Sequence, residues 1–254
     1  MFDHTAHNAY PSDEKTPAPQ HKCLGHEKEG YGLSWSPHEA GLLLSGSHDS
    51  SICMWDLREA GLEVQSRFKI DKAHTGAVED VDWHRQHNFL FGSCGDDSQV
   101  LLWDTRKPTQ PTQSISAAHK GDVRCMAFNP MSEYLVATGG ADNCVTLWDL
   151  RNLRDRVHIF EGHQEEVLQV SWAPFSDTVL GSSSSDRRVI VWDVSRIGDE
   201  QTPEDAECGP PELLFSHGGH TARVSDFSWS GHDDWIVASI AEDNILQVWQ
   251  MVRL

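Results

Sequence analysis

Residues 119–149 read HKGDVRCMAFNPMSEYLVATGGADNCVTLWD, and four of their side chains, His119, Thr138, Asp142 and Trp148, set a spacing that recurs along the chain. The same order of His, hydroxyl residue, Asp and Trp returns as His26, Ser45, Asp49 and Trp55, and as His74, Ser93, Asp97 and Trp103. It returns again as His163, Ser182, Asp186 and Trp192, and as His220, Ser239, Asp243 and Trp249. In all five copies the hydroxyl lies 19 positions after the His, the Asp 23 and the Trp 29. An aromatic also stands nine positions after each His, at Trp35, Trp83, Phe128, Trp172 and Trp229, so nine of the ten tryptophans fall into register.

The stretches between one repeat's Trp and the next His vary from 15 to 28 residues. Constant units joined by variable connections are the mark of stacked supersecondary units with surface insertions. Within each unit the apolar residues alternate over short runs such as YGLSW, LLLSGS and SICMWDL, bounded by Gly, Asp and Ser turn signals. No segment sustains a 3.6-residue apolar period over helix length. The expected fold is therefore all-β, with four short strands per unit as in a propeller blade. The five repeats run approximately over 25–70, 71–115, 116–160, 161–215 and 216–254. Residues 1–24 hold the end of a preceding blade, at Phe2-Asp3, then a linker and an outer strand.

With "GH" at Gly25-His26, Gly162-His163 and Gly219-His220, and Trp-Asp closing four of the five units, the pattern resembles the WD-repeat signature. The resemblance implies a β-propeller, with five complete repeats of a seven-bladed parent. The outermost strand of the last blade would come from elsewhere in such a parent. A small closed propeller built from these repeats alone is the alternative. The resemblance also implies that the five His, hydroxyl, Asp and Trp sets are buried hydrogen-bond networks, since an imidazole taken out of water needs a partner on each nitrogen. No GxSxG, HExxH, Walker-type loop or GxGxxG competes with that reading, so no enzyme, metal or cofactor is expected.

The chain has 254 residues, 39 acidic against 20 basic side chains and a net charge of −19. Phosphate binding needs a basic footprint, so direct nucleic-acid binding is not expected, and the charge suits basic partners. No apolar run reaches the roughly 20 residues that span a bilayer, and no secretory h-region opens the chain. Six scattered cysteines without a CxxC pair read as reduced thiols.

In the propeller architecture three positions per repeat face the mouth of the central channel: three and five residues after the His, and one before the Asp. They are Glu29, Tyr31 and His48; Ala77, Glu79 and Asp96; Asp122, Arg124 and Ala141; Glu166, Leu168 and Ser185; Arg223, Ser225 and Glu242. Six carboxylates with a neighbouring Tyr suit an extended basic peptide, because carboxylates pair with guanidinium groups and a phenol ring stacks on them. The longest connection, DEQTPEDAECGPPE at 199–212, has six acidic and no basic residues and is followed by the apolar Leu213, Leu214 and Phe215. It reads as an acidic proline-containing loop, spanning 198–212, that could clamp a basic amphipathic element.

The run IGDEQTPEDAECGPPELLFSHGGHTARVSDFSW with EDNILQVWQM resembles the RbAp/MSI class of histone-binding WD-repeat proteins, and GHEKEGYGLSW, VEDVDWH and EEVLQVSW fit the same class. The resemblance implies a nuclear, non-catalytic scaffold subunit shared by chromatin assembly, Polycomb, histone deacetylase and nucleosome-remodelling complexes. It implies binding of the histone-three tail, or similar basic peptides, at Glu29, Tyr31, Glu79, Asp96, Glu166, Leu168, Arg223 and Glu242. Glu79 and Glu166 would flank an inserted arginine with Tyr31 and Leu168 beside it. The first helix of histone four would meet Glu204, Asp205, Glu207, Leu213 and Leu214. Cys208 stands where the class usually has Asp, Leu168 where it more often has an aromatic, and the N-terminal helix of the class has no counterpart. A second reading rests on Trp-Asp-x-Arg at Trp55 to Arg58, Trp103 to Arg106 and Trp148 to Arg151, which resembles the motif of substrate receptors that present themselves to a cullin-type ligase adaptor.

Overall fold

Strand after strand the chain turns back on itself in short antiparallel ladders, as the period-2 patterning predicts. The structure, a computed structural model, describes Met1, residues 19–58 and residues 61–251. The pair Phe2-Asp3, read from sequence as the end of an earlier blade, lies outside the described residues.

The first blade is built from β2 (Leu33–Trp35), β3 (Leu42–Gly46), β4 (Ile52–Asp56) and β6 (Phe68–Ile70). The second takes β7 (Val78–Trp83), β8 (Leu90–Gly95), β9 (Val100–Asp104) and β10 (Gln113–Ile115), and the third β11 (Val123–Phe128), β12 (Leu135–Gly140), β13 (Cys144–Asp149) and β14 (His158–Glu161). The fourth takes β15 (Val167–Trp172), β16 (Val179–Ser184), β17 (Val189–Asp193) and β18 (Leu213–His217), ending two residues beyond the boundary expected at 215. The fifth has three strands among the described residues, β19 (Val224–Trp229), β20 (Ile236–Ala241) and β21 (Leu246–Gln250).

The strand preceding His26, β1 (Lys22–Leu24), lies in the span read from sequence as an outer strand. Among the described residues it pairs in parallel with β5 (Glu63–Gln65), an extra strand in the first blade's last connection. That pairing satisfies backbone groups on one edge of β1.

Inner strands β2, β7, β11, β15 and β19 stand in sequence around the channel, each packed on the next. The apolar core therefore lies between blades rather than within them. Leu44, Ile52, Val78, Phe91 and Trp103 fill the first junction, Val100, Val123, Met126 and Val136 the second, and Val145, Leu147, Phe160, Val167 and Leu180 the third. Smaller clusters with Val189, Val224, Phe227 and Val237 join the fourth blade to the fifth. A unit that buries its faces only against neighbours gains stability by stacking. In β7, β11, β15 and β19 the register shifts by one residue near the top, between Val78 and Asp80 and at the three equivalent points. These bulges re-aim the next side chain toward the channel.

Candidate functional site: the acidic channel mouth

The five repeated side-chain sets fix where the channel mouth lies. In the second, third and fourth blades they form complete networks. His119 places Nδ1 2.7 Å from Asp142 and Nε2 2.8 Å from the Thr138 hydroxyl, to which the Trp148 indole also donates, at 3.0 Å. His74 with Asp97, Ser93 and Trp103, and His163 with Asp186, Ser182 and Trp192, repeat this. Burial pushes the Asp142 carboxyl up, but His119 and the Lys120 backbone N–H stabilise its ionised form more, and it settles at about 2. At Asp97 and Asp186 burial likewise opposes the hydrogen bonds from His74 and His163, and both carboxyls end below the usual carboxylate range.

The end blades depart from the expected pattern. In the first, His26 keeps Ser45 at 2.6 Å and Asp49 at 3.3 Å, but the Trp55 indole donates to the Leu24 carbonyl, which the β1–β5 pairing brings within 3.1 Å. In the fifth, His220 and Trp249 both meet Ser239, yet His220 Nδ1 has no partner among the described residues. Asp243 turns instead to the Thr221 hydroxyl and to the N–H of Ile245. The whole set of five is a scaffold, but only three copies are complete.

Each turn Asp also bonds the backbone two residues on, and the residue between them takes a left-handed conformation: Ser50, Ser98, Asn143, Arg187 and Asn244, with φ from 61° to 70°. The residue before the Asp donates its N–H to the carbonyl of the residue three after the His. His48 so meets Glu29, Asp96 meets Ala77, Ala141 meets Asp122, Ser185 meets Glu166 and Glu242 meets Arg223. That backbone bond is why side chains 19 residues apart share one face of the propeller.

On this face Tyr31 is 74% exposed and packs edge-on against His48. His48 lies 3.7 Å from Glu79 and 4.0 Å from Glu29, and Arg223 pairs with Glu242 at 2.7 Å. Beneath them opens a cavity of about 450 Å³, lined by Tyr31, Glu79, Arg124, Glu166, Leu168 and Arg223 together with Asp80, Cys125, Gln169 and Asp226. The place between Glu79 and Glu166, where an inserted arginine was expected, holds the chain's own Arg124. Its guanidinium lies 3.3 Å from Glu166, 3.5 Å from Glu79, 3.5 Å from Asp96 and 3.1 Å from Asp122. Glu79 is held above the usual carboxylate range by burial and by Asp96, against the pull of Arg124.

Sequence reading missed a second ring. Asp80, Cys125, Gln169 and Asp226 each stand six residues after their repeat's His, just past the bulge, and Gly32 holds the same place in the first repeat. The signal was a polar residue breaking the alternation at one fixed offset. Asp80 accepts from the Val81 and Met126 N–H groups. Desolvation, with Asp82 and Asp226 nearby, nevertheless pushes its carboxyl up to about 8. Burial raises Asp226 as well.

The acidic connection is placed beside the fourth blade, away from the channel. It contains one helical turn, α1 (Pro203–Ala206), where an irregular loop was expected. Thr202 caps it, Pro203 opens it, and Glu204 and Asp205 complement the helix N-terminus, so the sequence TPED carried the signal. Glu204, Asp205 and Glu207 are exposed. Leu213 and Leu214 are half-buried in β18, one packed toward the third blade and the other toward the fifth. Buried Glu212 anchors the base of the connection through His158, at 2.7 Å.

At the opposite ends of the third strands, Arg58, Arg106 and Arg151 each make a bidentate pair with the Asp two residues before, and Arg106 and Arg151 also cover Phe89 and Tyr134. All six cysteines are free thiols, and burial pushes Cys53 up to about 12. Among the described residues no group of three or more His, Cys, Asp or Glu is arranged to hold a metal, and no described helix is long and apolar enough to cross a membrane.

Comparison with known families agrees with this architecture. The family described as WD domain, G-beta repeat, matches residues 18–56, 65–104, 109–149, 154–193 and 211–250. The chain belongs to the WD40-repeat family, and its architecture is that of a WD-repeat β-propeller. Proteins of this kind serve as scaffolds for protein–protein interaction.

Proposed function

We propose that this protein is a non-catalytic histone-binding scaffold subunit of nuclear chromatin assembly, remodelling and modifying complexes. Basic histone-three tails would dock on the channel mouth, and the first helix of histone four would dock beside the acidic connection. The observation that carries the reading is the convergence of Glu79, Asp96, Asp122 and Glu166, from three blades, around one cationic group at the mouth of an open cavity. A site that gathers carboxylates around one guanidinium has the chemistry to recognise others. Exposed Tyr31 offers an aromatic face beside it.

The test is a titration of labelled histone-three tail peptide into the folded chain at low and moderate salt. Saturable binding that weakens with salt is expected, since rim charges are screened over about 8–10 Å. Glu166→Gln should weaken it further. A cooperatively melting chain that leaves the peptide unbound at low salt would overturn the reading.

A second reading, as substrate receptor of a cullin-RING ubiquitin ligase, is favoured by the shared geometry of Arg58, Arg106 and Arg151. Each is exposed and held rigid by its bidentate Asp, as a repeated docking element would be. Co-purification of the ligase adaptor, lost in Arg106→Ala/Arg151→Ala, would support it, and its persistence in that variant would sink it.

A further inference from the structure

Arg124 stands on β11 five residues after its repeat's His, in the ring whose other members are Tyr31, Glu79, Leu168 and Ser225. It is the only cation among those five positions. We infer that Arg124 is an internal occupant of the acidic socket, and that a basic peptide reaches this socket in competition with it. The inference rests on the proposed peptide-binding function and concerns how that site is regulated.

The geometry of the pairing supports displacement. Arg58, Arg106 and Arg151 hold their aspartates through Nε and a terminal nitrogen together, with at least one contact in each pair at 2.6 Å or less. Strong charge-assisted bonds of this type lie at about 2.7–2.9 Å or shorter. Arg124 instead spreads over four carboxylates at 3.1–3.5 Å, one contact to each except where its NH1 is shared by Glu79 and Asp96. No carboxylate receives it bidentately. Its side chain is 28% exposed at the cavity mouth, so its withdrawal opens no void in the packed core. A ligand guanidinium entering from above can form the bidentate pair with Glu79 or Glu166 that Arg124 does not. The cost is a second positive charge a few ångströms from the first unless Arg124 swings aside. Arg124 thus lowers the affinity of the mouth for every cationic ligand and sets a threshold that only a multiply charged peptide passes.

The experiment titrates histone-three tail peptide into the wild-type chain and into Arg124→Ala, Arg124→Gln and Arg124→Lys, with a thermal melt of each. Binding by Arg124→Ala and Arg124→Gln should be about tenfold tighter or more at low salt, with the gain shrinking as salt rises. Arg124→Lys, which keeps the charge, should stay near wild type. Weak but saturable wild-type binding with clearly tighter binding by the Ala and Gln variants would support both the inference and the proposed function. If all four proteins melt cooperatively and the neutral variants bind no tighter than wild type, Arg124 is a ligand contact or a staple and the inference fails while the function stands. If none binds, the proposed function fails and takes the inference with it. If both neutral variants lose their cooperative melt, Arg124 is holding three blades together, and the inference is again overturned.

Discussion

Asp142 Oδ1 lies 2.7 Å from His119 Nδ1, whereas the equivalent Asp243 leaves His220 without that bond. The same carboxylate also takes the N–H groups of Lys120 and Cys144. Removing the Asp142 carboxylate would leave a buried imidazole nitrogen and two backbone N–H groups without that acceptor. Asp142→Ala should therefore destabilise the fold by about 2–3 kcal/mol, the cost of orphaning such groups. Asp243→Ala should cost clearly less, because its imidazole contact is already absent. Chemical denaturation of the two variants side by side checks this, and equal losses would show that the fifth network is as complete in solution as the third.

Arg187 is exposed and holds a left-handed backbone at φ 70° in the turn after Asp186. An Arg pays a steric cost there that Gly does not, of about 1–2 kcal/mol per residue. Asn143, at the same turn position one blade earlier, tolerates that conformation through its short polar side chain. Arg187→Gly should raise stability, offset in part by the greater freedom of Gly in the unfolded chain, for a net gain of about 0.5–1 kcal/mol. Asn143→Gly should be nearly neutral. Melting curves of the pair decide it, and a destabilised Arg187→Gly would mean the arginine makes a contact worth more than the strain.

The fold was legible because the His, hydroxyl, Asp and Trp set serves a single blade. Each of its members lies within one repeat, so a fixed spacing in sequence is a fixed geometry in space. Contacts between blades leave no such trace. Nothing in the sequence around Arg124 says that Glu79 and Glu166, more than 40 residues away on either side, will lie within 3.5 Å of it. Glu79 and Glu166 line the cavity a few residues past their repeat's His, but which charges neutralise which depends on how neighbouring blades pack. The β1–β5 pairing was hidden for the same reason. Lys22–Leu24 has the same strand pattern whichever edge it meets.

Apolar side chains stand exposed on the first and fifth blades. Leu33 and Trp35 are on the first blade, and Ile240, Leu246 and Val248 on the fifth, with Leu246 63% and Val248 67% exposed. Ile240 and Leu246 are cross-strand partners, so the fifth-blade residues form one patch beside the β21 edge, which pairs with no further strand among the described residues. Such patches drive association. Light scattering should rise with protein concentration, and Leu246→Glu/Val248→Glu should reduce it with little change in melting temperature. Unchanged scattering would place the adhesive surface elsewhere.

The pH dependence of stability should carry two opposite signatures. Asp142 is depressed to about 2 in the folded state, below an unfolded value near 3.9, so the stability it contributes is present above that value and is lost as pH falls toward 2. Asp80 is raised to about 8, because the channel wall strips water from it and Asp82 and Asp226 lie close. A protonated Asp80 is stable in that wall, so its contribution is complete below about 4 and is lost as pH rises through 8. Asn resembles the protonated carboxyl in shape and charge. The melting temperature of Asp80→Asn relative to wild type should therefore climb steadily between pH 5 and pH 9, while Asp142→Asn should lose its deficit only in acid. Parallel wild-type and Asp80→Asn curves across that range would mean Asp80 is ionised in the fold and held by the Val81 and Met126 N–H groups, which donate to its two oxygens at 2.8 and 3.0 Å.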